Sequence, residues 1–171
     1  MLIGNGWDLH QHTENEILSL GGVEFNEDGF LGHSDGDILL HALCDAFLGA
    51  VGKKDIGHYF PSNENTPENI SSTIILNEIL RVIEYEKFTL TNVDITIITQ
   101  KFNVKDKALK IKENLSKLLM IPIEKINIKG KSADDYGIIG DQKASLAIVS
   151  LLLDLSLIHI SEPTRPSSIA Y

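Results

Sequence analysis

Several ionisable side chains stand where the sequence predicts a buried strand and a buried helix. Asp8 and His10 are two residues apart in a strand-like run, so their side chains leave the same face. His41 lies inside the apolar run ILLHALCDAFLGA, with Asp37 four residues before it and Asp45 four residues after it on one helical stripe. Burying a charge or an unpaired imidazole costs roughly several kcal/mol unless a partner or a metal compensates. These side chains therefore need a chemical explanation.

One explanation is a metal ion between the strand and the helix. Asp8, His10 and His41 are the two-histidine, one-carboxylate ligand set of a catalytic zinc with an open fourth position. Asp37 or Asp45 then orients a ring nitrogen from behind. The competing interpretation is that His41 is a core histidine bonded to a backbone carbonyl, and on spacing alone this is the commoner case.

A second feature is the run GHSDGD at 32–37, at the entrance to the helix. Backbone N–H groups and the positive helix end can hold a phosphate there, and His33 and Ser34 can donate to it. The plainer interpretation is that the serine and aspartates of this run only cap the helix. A third feature, Asp55-Ile56-Gly57, is a turn whose carboxylate can accept sugar hydroxyls, although such a segment is more often just a turn.

Hydrophobic periodicity and turn residues predict strands that alternate with helices. Strands are predicted at 1–10, 93–99 and 126–129, and helices at 38–50, from 71 or 72 to about 86, and at 105–119 with the lysines outward. Turns are predicted at 21–22 and 26–29, and a long irregular loop at 53–70. The apolar run 144–153 fits either a helix or a central strand. We therefore expect an α/β or α+β sandwich with helices on one face.

Length and composition limit the class of protein. The 171 residues are 43% hydrophobic and suit one globular domain. Against 24 acidic residues there are 15 Lys and Arg, so the net charge of −9 argues against nucleic acid as a general partner. The single cysteine, Cys44, excludes an internal disulfide, and we find neither a signal peptide nor an apolar run long enough for a membrane span. We expect a soluble intracellular domain.

The end of the chain differs in style from the rest. The segment 155–171 reads LSLIHISEPTRPSSIAY and resembles the translated read-through of a cloning or library adapter. We expect a single catalytic domain at 1–154 and a tail at 155–171 that is not part of the fold.

Several segments together carry a family resemblance. They are Ile3-Gly4-x-Gly6-x-Asp8-x-His10, GHSDGD at 32–37, His41-Ala42-Leu43, Asp45-Ala46-x-Leu48-Gly49-Ala50, Gly52, Asp55-Ile56-Gly57 and Phe60-Pro61. The likeness continues through 92–98 and 126–129. Over roughly 2–153 the chain closely resembles the 2-C-methyl-D-erythritol 2,4-cyclodiphosphate synthase family of the non-mevalonate isoprenoid pathway.

The resemblance implies a fold, an assembly and a reaction. It implies a ferredoxin-like subunit with a mixed sheet, and a homotrimer whose active sites lie between subunits. The implied enzyme is a phosphorus–oxygen lyase that cyclises 4-diphosphocytidyl-2-C-methyl-D-erythritol 2-phosphate and releases CMP. Asp8, His10 and His41 would bind Zn²⁺. Asp134, or Asp135 as a rival, would bind a second divalent cation, Mg²⁺ or Mn²⁺. Such enzymes lie in the bacterial cytoplasm or, in eukaryotes, the plastid stroma.

Individual contacts are implied as well. His33 and Ser132 are the implied catalytic residues. The implied substrate-binding residues are Asp8, His10, His33, Ser34, Asp55, Ile56, Gly57, Phe60, Ser62, Glu64, Thr99, Phe102, Asn103, Lys131, Ser132 and Asp134.

Departures from the family pattern lie mostly at the nucleotide end. Phe102-Asn103 replaces a Pro-Lys pair, 131–134 replaces Thr-Thr-x-Glu, 62–64 replaces an acidic motif, and 140–143 replaces Gly-Arg-Gly-Glu near the trimer axis.

Our leading hypothesis is an active synthase, because the metal ligands and the phosphate loop are intact. A degenerate trimer that binds metal and cytidine nucleotide without turnover is the alternative. A zinc phosphohydrolase ranks lower, because no residue is an obvious general base for water.

Overall fold

The computed structural model describes residues 1–61, 63, 66–67 and 69–156. Five strands form one sheet in the order β2-β1-β5-β3-β4, in which β3 and β4 are parallel and the other neighbours antiparallel. The elements are β1 (Leu2–Leu20), β2 (Val23–Phe30), α1 (Ile38–Ala50), α2 (Ile56–Tyr59), α3 (Ser72–Val82), β3 (Phe88–Ile98), α4 (Val104–Leu119), β4 (Ile126–Lys131), α5 (Gly137–Gly140) and β5 (Ala144–Leu155). Short 3-10 turns at Tyr85–Lys87 and Ile123–Lys125 precede β3 and β4.

The long helices cover one face of this mixed sheet. Helix α1 packs on β1 and β5, α3 packs on α1, and α4 packs on β4. The predicted α/β class with helices on one face is confirmed. On the opposite face of β1, the large side chains of Ile3, Trp7 and Leu9 remain exposed, and in the described part of the chain no helix covers them. None of the described helices is both long and apolar enough to cross a membrane.

Helix α1 has the predicted bounds, and one carboxylate fixes its start. Asp37 is fully buried and accepts hydrogen bonds from the backbone N–H groups of Leu39 and Leu40, 3.1 and 3.0 Å away. It also accepts from the N–H groups of Gly21 and Gly22, at 2.9 and 2.6 Å, in the predicted turn between β1 and β2. Burial raises the pKa of Asp37, and these donors oppose that effect. One side chain thereby joins the helix to the hairpin.

Other predicted elements differ from the structure in extent. The segment 26–29 is part of β2 rather than a turn, because Asp28 and Gly29 pair with Ile17 and Thr13 of a β1 that continues to Leu20. The ambiguous run 144–153 is the central strand β5, since it has a partner on each side.

Two helical predictions also need correction. Helix α3 ends at Val82 rather than near 86, because Glu84 adopts a left-handed conformation with φ 55°. The loop predicted at 53–70 contains the short helix α2. Helix α4 does not point all its lysines outward, because Lys107 is only 6% exposed.

The predicted tail boundary stays a prediction. Strand β5 continues to Leu155, and the backbone N–H of Ser156 donates to the carbonyl of Lys87 at 2.8 Å. The rest of the tail, 157–171, lies outside the described residues.

Two glycines allow β1 to approach α1 closely. A Cβ added to Gly4 would lie 1.9 Å from the carbonyl oxygen of Ala46, and one added to Gly6 would lie 2.1 Å from that of Ala42. Real side chains never come this near to backbone atoms. The strand and the helix therefore touch through their backbones at these two positions.

We expect Gly6→Ala to destabilise the protein by about 1–3 kcal/mol, because the methyl group forces the strand away from the helix. Gly49→Ala in α1 is the matched control, because its added Cβ meets only the Asn5 carbonyl oxygen at 3.7 Å. Thermal unfolding at one protein concentration should show a lower Tm for Gly6→Ala and an equal or higher Tm for Gly49→Ala. Equal Tm values for Gly6→Ala and wild type would contradict the close contact.

Candidate functional site

Three potential metal ligands meet where β1 passes the first turn of α1. The Asp8 Oδ2 atom lies 3.0 Å from Nδ1 of His41 and 3.1 Å from Nδ1 of His10. One ligand atom from each residue lies within 4.8 Å of the others. The predicted D-x-H pair and the helical histidine are therefore adjacent, on two elements that are held together by the glycine contacts.

The donors at this position fit a divalent cation. Nδ1 of His10 is buried and has no hydrogen-bond partner, although it faces the Asp8 carboxylate. Burial raises the pKa of Asp8, but the neighbouring His10 and His41 rings outweigh this effect and lower the pKa to about 2. An ionised carboxylate with two imidazoles is a common zinc ligand set. A cation among them would supply the partner that the His10 nitrogen lacks.

The far side of the His41 ring contacts two serines. Its Nε2 atom lies 3.1 Å from Oγ of Ser34 and 3.0 Å from Oγ of Ser72. The Ser72 hydroxyl donates in turn to Oδ1 of Asp35, and the Ser72 backbone N–H donates to Oδ2 of Asp35 at 2.9 Å. Sequence reasoning missed Ser72, because at the start of a helix a serine is typical of a cap. The cap of α3 is Ser71.

The two aspartates expected to orient a histidine ring have other partners. Asp37 caps α1, and Asp45 accepts a hydrogen bond of 2.7 Å from the backbone N–H of Ile56. The prediction that either one holds a ring nitrogen is wrong. The N–H groups of Leu39 and Leu40 are also already bonded to Asp37, so a phosphate near α1 must bind to groups of the preceding loop.

A cavity of about 200 Å³ opens above the three potential ligands. Its lining includes seven of the predicted site residues besides His41: Asp8, His10, His33, Ser34, Ile56, Gly57 and Phe60. The ring of His33 is fixed by a hydrogen bond of 3.0 Å between Nε2 and the carbonyl oxygen of Thr66. We call this space the metal-side cavity.

Asp55 lies next to this cavity rather than in its lining. Its carboxylate caps α2 by accepting a hydrogen bond of 3.0 Å from the His58 N–H. It lines a neighbouring depression together with Asp45. The predicted substrate residues Ser62 and Glu64 lie outside the described residues.

A second cavity, of about 410 Å³, lies between α4 and β4. We call it the nucleotide-side cavity, and its lining includes five predicted site residues: Thr99, Phe102, Asn103, Lys131 and Ser132. Asp134 is outside this lining and outside the cluster of metal ligands, although its backbone N–H donates to Oγ of Ser132 at 2.9 Å. Within one chain, the structure thus gathers most of the predicted residues into two groups and leaves Asp55 and Asp134 outside both.

Two buried polar side chains contact residues that line the nucleotide-side cavity. The Lys107 ammonium lies 5.8 Å from the ring centre of Phe102 and 2.5 Å from Oε1 of Glu27 on β2. The hydroxyl of Ser145 donates to Oγ1 of Thr99 at 2.7 Å and lies 2.9 Å from Nε2 of His12. Neither the Lys107 contacts nor the Ser145 contacts were predicted, because they join segments that are distant in the sequence.

Comparison with known proteins shows the family of this chain. The model of the YgbB family matches residues 1–154. The chain belongs to the YgbB family. A 2-C-methyl-D-erythritol 2,4-cyclodiphosphate synthase of Fusobacterium nucleatum is 40% identical over 153 residues, 89% of this chain and 96% of the relative. The synthase of Aquifex aeolicus is 44% identical over 135 residues, which cover 78% of this chain and 86% of that protein. The expected family resemblance is confirmed.

Solved structures of YgbB-like proteins have the same fold. The CDP complex of IspF from Plasmodium falciparum is 36% identical with a TM-score of 0.79, over 90% of this chain and 96% of that one. The bifunctional IspDF from Campylobacter jejuni is 33% identical with a TM-score of 0.85, and the match covers 91% of this chain but 42% of that longer one.

We expect His41→Ala to lose the bound metal ion, because it removes one of the three ligands while the described fold keeps its other contacts. The purified protein would be dialysed against Zn²⁺ and its metal content measured by mass spectrometry. His58→Ala is the matched control, because His58 is exposed and lies outside the ligand cluster. Stoichiometric zinc in His41→Ala would refute the assignment of this ligand.

Proposed function

We propose that this chain is an active, metal-dependent 2-C-methyl-D-erythritol 2,4-cyclodiphosphate synthase. Its substrate is 4-diphosphocytidyl-2-C-methyl-D-erythritol 2-phosphate, and its products are the cyclic diphosphate and CMP. The observation that carries the proposal is the metal-side cavity, in which a carboxylate–histidine cluster and the 32–37 loop face the same space. The names of the YgbB relatives support the same reaction.

Asp8, His10 and His41 hold Zn²⁺ in this proposal. An ion held there would supply Lewis acidity toward the β-phosphate of the substrate. Asp134 contributes a carboxylate to a second divalent cation, Mg²⁺ or Mn²⁺. Because Mg²⁺ is often bound through one or two carboxylates and the phosphates of a substrate, Asp134 does not need to belong to a preformed cluster.

The loop residues position the attacking group. His33 and Ser34 hold the 2-phosphate, and Asp55 with Gly57 binds the hydroxyls of the methylerythritol. A 2-phosphate oxygen then forms a bond to the β-phosphorus, the bond from that phosphorus to the bridging oxygen breaks, and CMP leaves with this oxygen. Ser132 steadies the transferring phosphate. Holding both reacting groups in one pocket replaces most of the entropy cost of closing the ring.

The nucleotide-side cavity binds the cytidine end of the substrate. Thr99, Phe102, Asn103 and Lys131 are the residues proposed for this contact, and the related Plasmodium falciparum structure is a CDP complex. The family's lysine is absent at 103. Lys105 lines the cavity and is the better replacement, because Lys101 is already paired with Asp28 at 2.8 Å.

One observation favours the alternative of a binding protein without turnover. The Asn103 side chain caps α4 by accepting a hydrogen bond of 3.0 Å from the Lys105 N–H, so its oxygen is occupied by the protein itself. An asparagine used in this way supplies no positive charge to the nucleotide phosphates. The activity measurement below separates an enzyme with weak nucleotide binding from a protein that only binds.

We expect the chain to form a homotrimer with active sites between subunits. The exposed apolar side chains on the uncovered face of the sheet suit a contact with further copies. Such an assembly would also bring the metal-side cavity of one copy to the nucleotide-side cavity of another. The ferredoxin-like description of the subunit and its location in the cytoplasm or the plastid stroma stay predictions.

The activity test incubates the protein, Zn²⁺ and Mg²⁺ with the proposed substrate and follows the reaction by ³¹P NMR. We expect the cyclic diphosphate and CMP to appear together. His33→Ala should retain zinc but lose activity by about 10²-fold, because one electrostatic contact to the reacting phosphates is lost. Unchanged substrate with zinc-loaded wild type would support the binding protein, and unchanged turnover in His33→Ala would remove His33 from the site.

The assembly test places a charge on the uncovered face. Trp7→Asp should reduce or abolish the trimer, because Trp7 is 65% exposed in the single chain and would be buried between copies. Leu109→Asp is the matched control, since Leu109 is similarly exposed, at 62%, on α4. Sedimentation velocity should give three chain masses for wild type and for Leu109→Asp. A trimer in Trp7→Asp would place the interface elsewhere.

A further inference from the structure

We propose that Ser72, held by Asp35, is a positioning residue for the metal ligand His41. The inference rests on the proposed metal site. In this role the Ser72 oxygen accepts the proton of His41 Nε2, so that the lone pair of Nδ1 is directed toward Asp8 and the metal position. The three side chains form a relay from the 32–37 loop, through the first residue of α3, to the metal ligand on α1.

The direction of the hydrogen bond between Ser72 and Asp35 follows from the chemistry of the carboxylate. Its two carboxylate oxygens receive both donors of Ser72, the hydroxyl at Oδ1 and the backbone N–H at Oδ2. An ionised carboxylate can only accept, so the single hydroxyl hydrogen of Ser72 is used in this bond. Ser72 is fully buried, and water does not offer it another arrangement. Toward any further partner, the Ser72 oxygen is therefore an acceptor.

That further partner is the ring of His41. Its Nε2 atom lies 3.0 Å from the Ser72 oxygen. Because that oxygen acts as an acceptor, Nε2 must carry the proton of this hydrogen bond. A neutral imidazole carries one N–H, so a proton on Nε2 leaves a lone pair on Nδ1. Nδ1 is the atom that faces Oδ2 of Asp8, at 3.0 Å. Two lone pairs at this distance repel each other unless a cation lies between them, which is the arrangement that a metal site requires.

Ser34 offers the opposite arrangement and makes the proposal testable. Its hydroxyl lies 3.1 Å from the same Nε2 atom and could donate to it, in which case Nδ1 would carry the proton and donate to Asp8. That tautomer must be reversed before a metal binds through Nδ1. The bond from Ser72 to Asp35 favours the tautomer that is ready for the metal.

The relay also connects the metal ligand to the loop that faces the substrate. Asp35 follows His33 and Ser34 directly, and the N–H of Asn69 donates to the His33 carbonyl at 2.9 Å. The segment that leads into α3 is thus joined to the loop by backbone as well as by side chains. A partner behind a ligating histidine typically contributes about 10- to 100-fold in metal affinity.

The experiment measures Zn²⁺ affinity by competition with a chromophoric chelator. Ser72→Ala should weaken zinc binding by about 10- to 100-fold, since the ring loses its acceptor. Ser71→Ala is the matched control, because Ser71 caps the same helix through the Thr73 N–H but does not contact His41. Ser71→Ala should lose the cap of α3 and keep its zinc affinity within about twofold of wild type, well below the change expected for a lost partner. Equal affinities of Ser72→Ala and wild type would overturn the proposal.

A second measurement uses the unaltered sequence, and a variant serves only to assign its signals. Long-range ¹H–¹⁵N spectra of zinc-loaded protein with labelled histidine report which ring nitrogen carries the proton and which one binds the metal. The His41 signals are assigned by their loss in His41→Ala. Protonated Nε2 is the expected result, and protonated Nδ1 would overturn the relay.

The two proposals can fail separately. If the protein binds zinc in a Ser72-dependent manner but leaves the substrate unchanged, the proposed function fails and the relay stands. If wild type cyclises the substrate and Ser72→Ala binds zinc as tightly, the relay fails and the function stands. If wild type binds no zinc, the proposed metal site and the relay fail together.

Discussion

The site depends on how closely β1 lies on α1. With no Cβ at Gly4 or Gly6, the strand touches the helix backbone near Ala46 and Ala42. Asp8 follows Gly4 and Gly6 on the same face of the strand. Its carboxylate therefore contacts His41, which precedes Ala42 on the helix. Metal–ligand distances tolerate changes of only about 0.2 Å. A larger strand-to-helix separation would leave the same three side chains present but too far apart to share an ion.

A second constraint sets where along its axis α1 lies. The buried Asp37 carboxylate receives four backbone N–H groups, two from the helix and two from the turn that joins β1 to β2. A one-turn slide of the helix would carry Asp37 with it and break the two bonds from the turn inside the core, where a carboxylate that loses partners is costly. The same carboxylate occupies the helix N-terminus, so in the proposed function the 32–37 loop, rather than the helix end, supplies the groups that bind phosphate.

The parts predicted from the sequence are those that local pattern determines. Helix α1 was predicted with its bounds because an apolar run of helical length follows a capping residue, and the metal cluster because its residue types are unusual in such a run. The apolar run of β5 was ambiguous, since a central strand and a buried helix are both apolar throughout. Ser72 and Lys107 could not be assigned, because their partners lie on distant segments: α1 for Ser72, and β2 for Lys107. Local sequence gives the type of such a residue but not its neighbour.

The same distinction explains where this chain can depart from its family's pattern without loss of the reaction. The proposed bond changes occur in the metal-side cavity. There the positions of the three proposed ligands and the proposed tautomer of His41 must be held within narrow limits. In the proposed function, the nucleotide-side cavity binds a remote part of the substrate, through a wall that includes Gly130 and contacts Lys107 and Ser145. Binding of a remote group raises kcat/KM when it is expressed in the transition state, and its loss lowers the rate by a factor rather than removing the chemistry. Under the proposed function, asparagine in place of lysine at 103 would change substrate affinity and efficiency, whereas the loss of one metal ligand would change the mechanism.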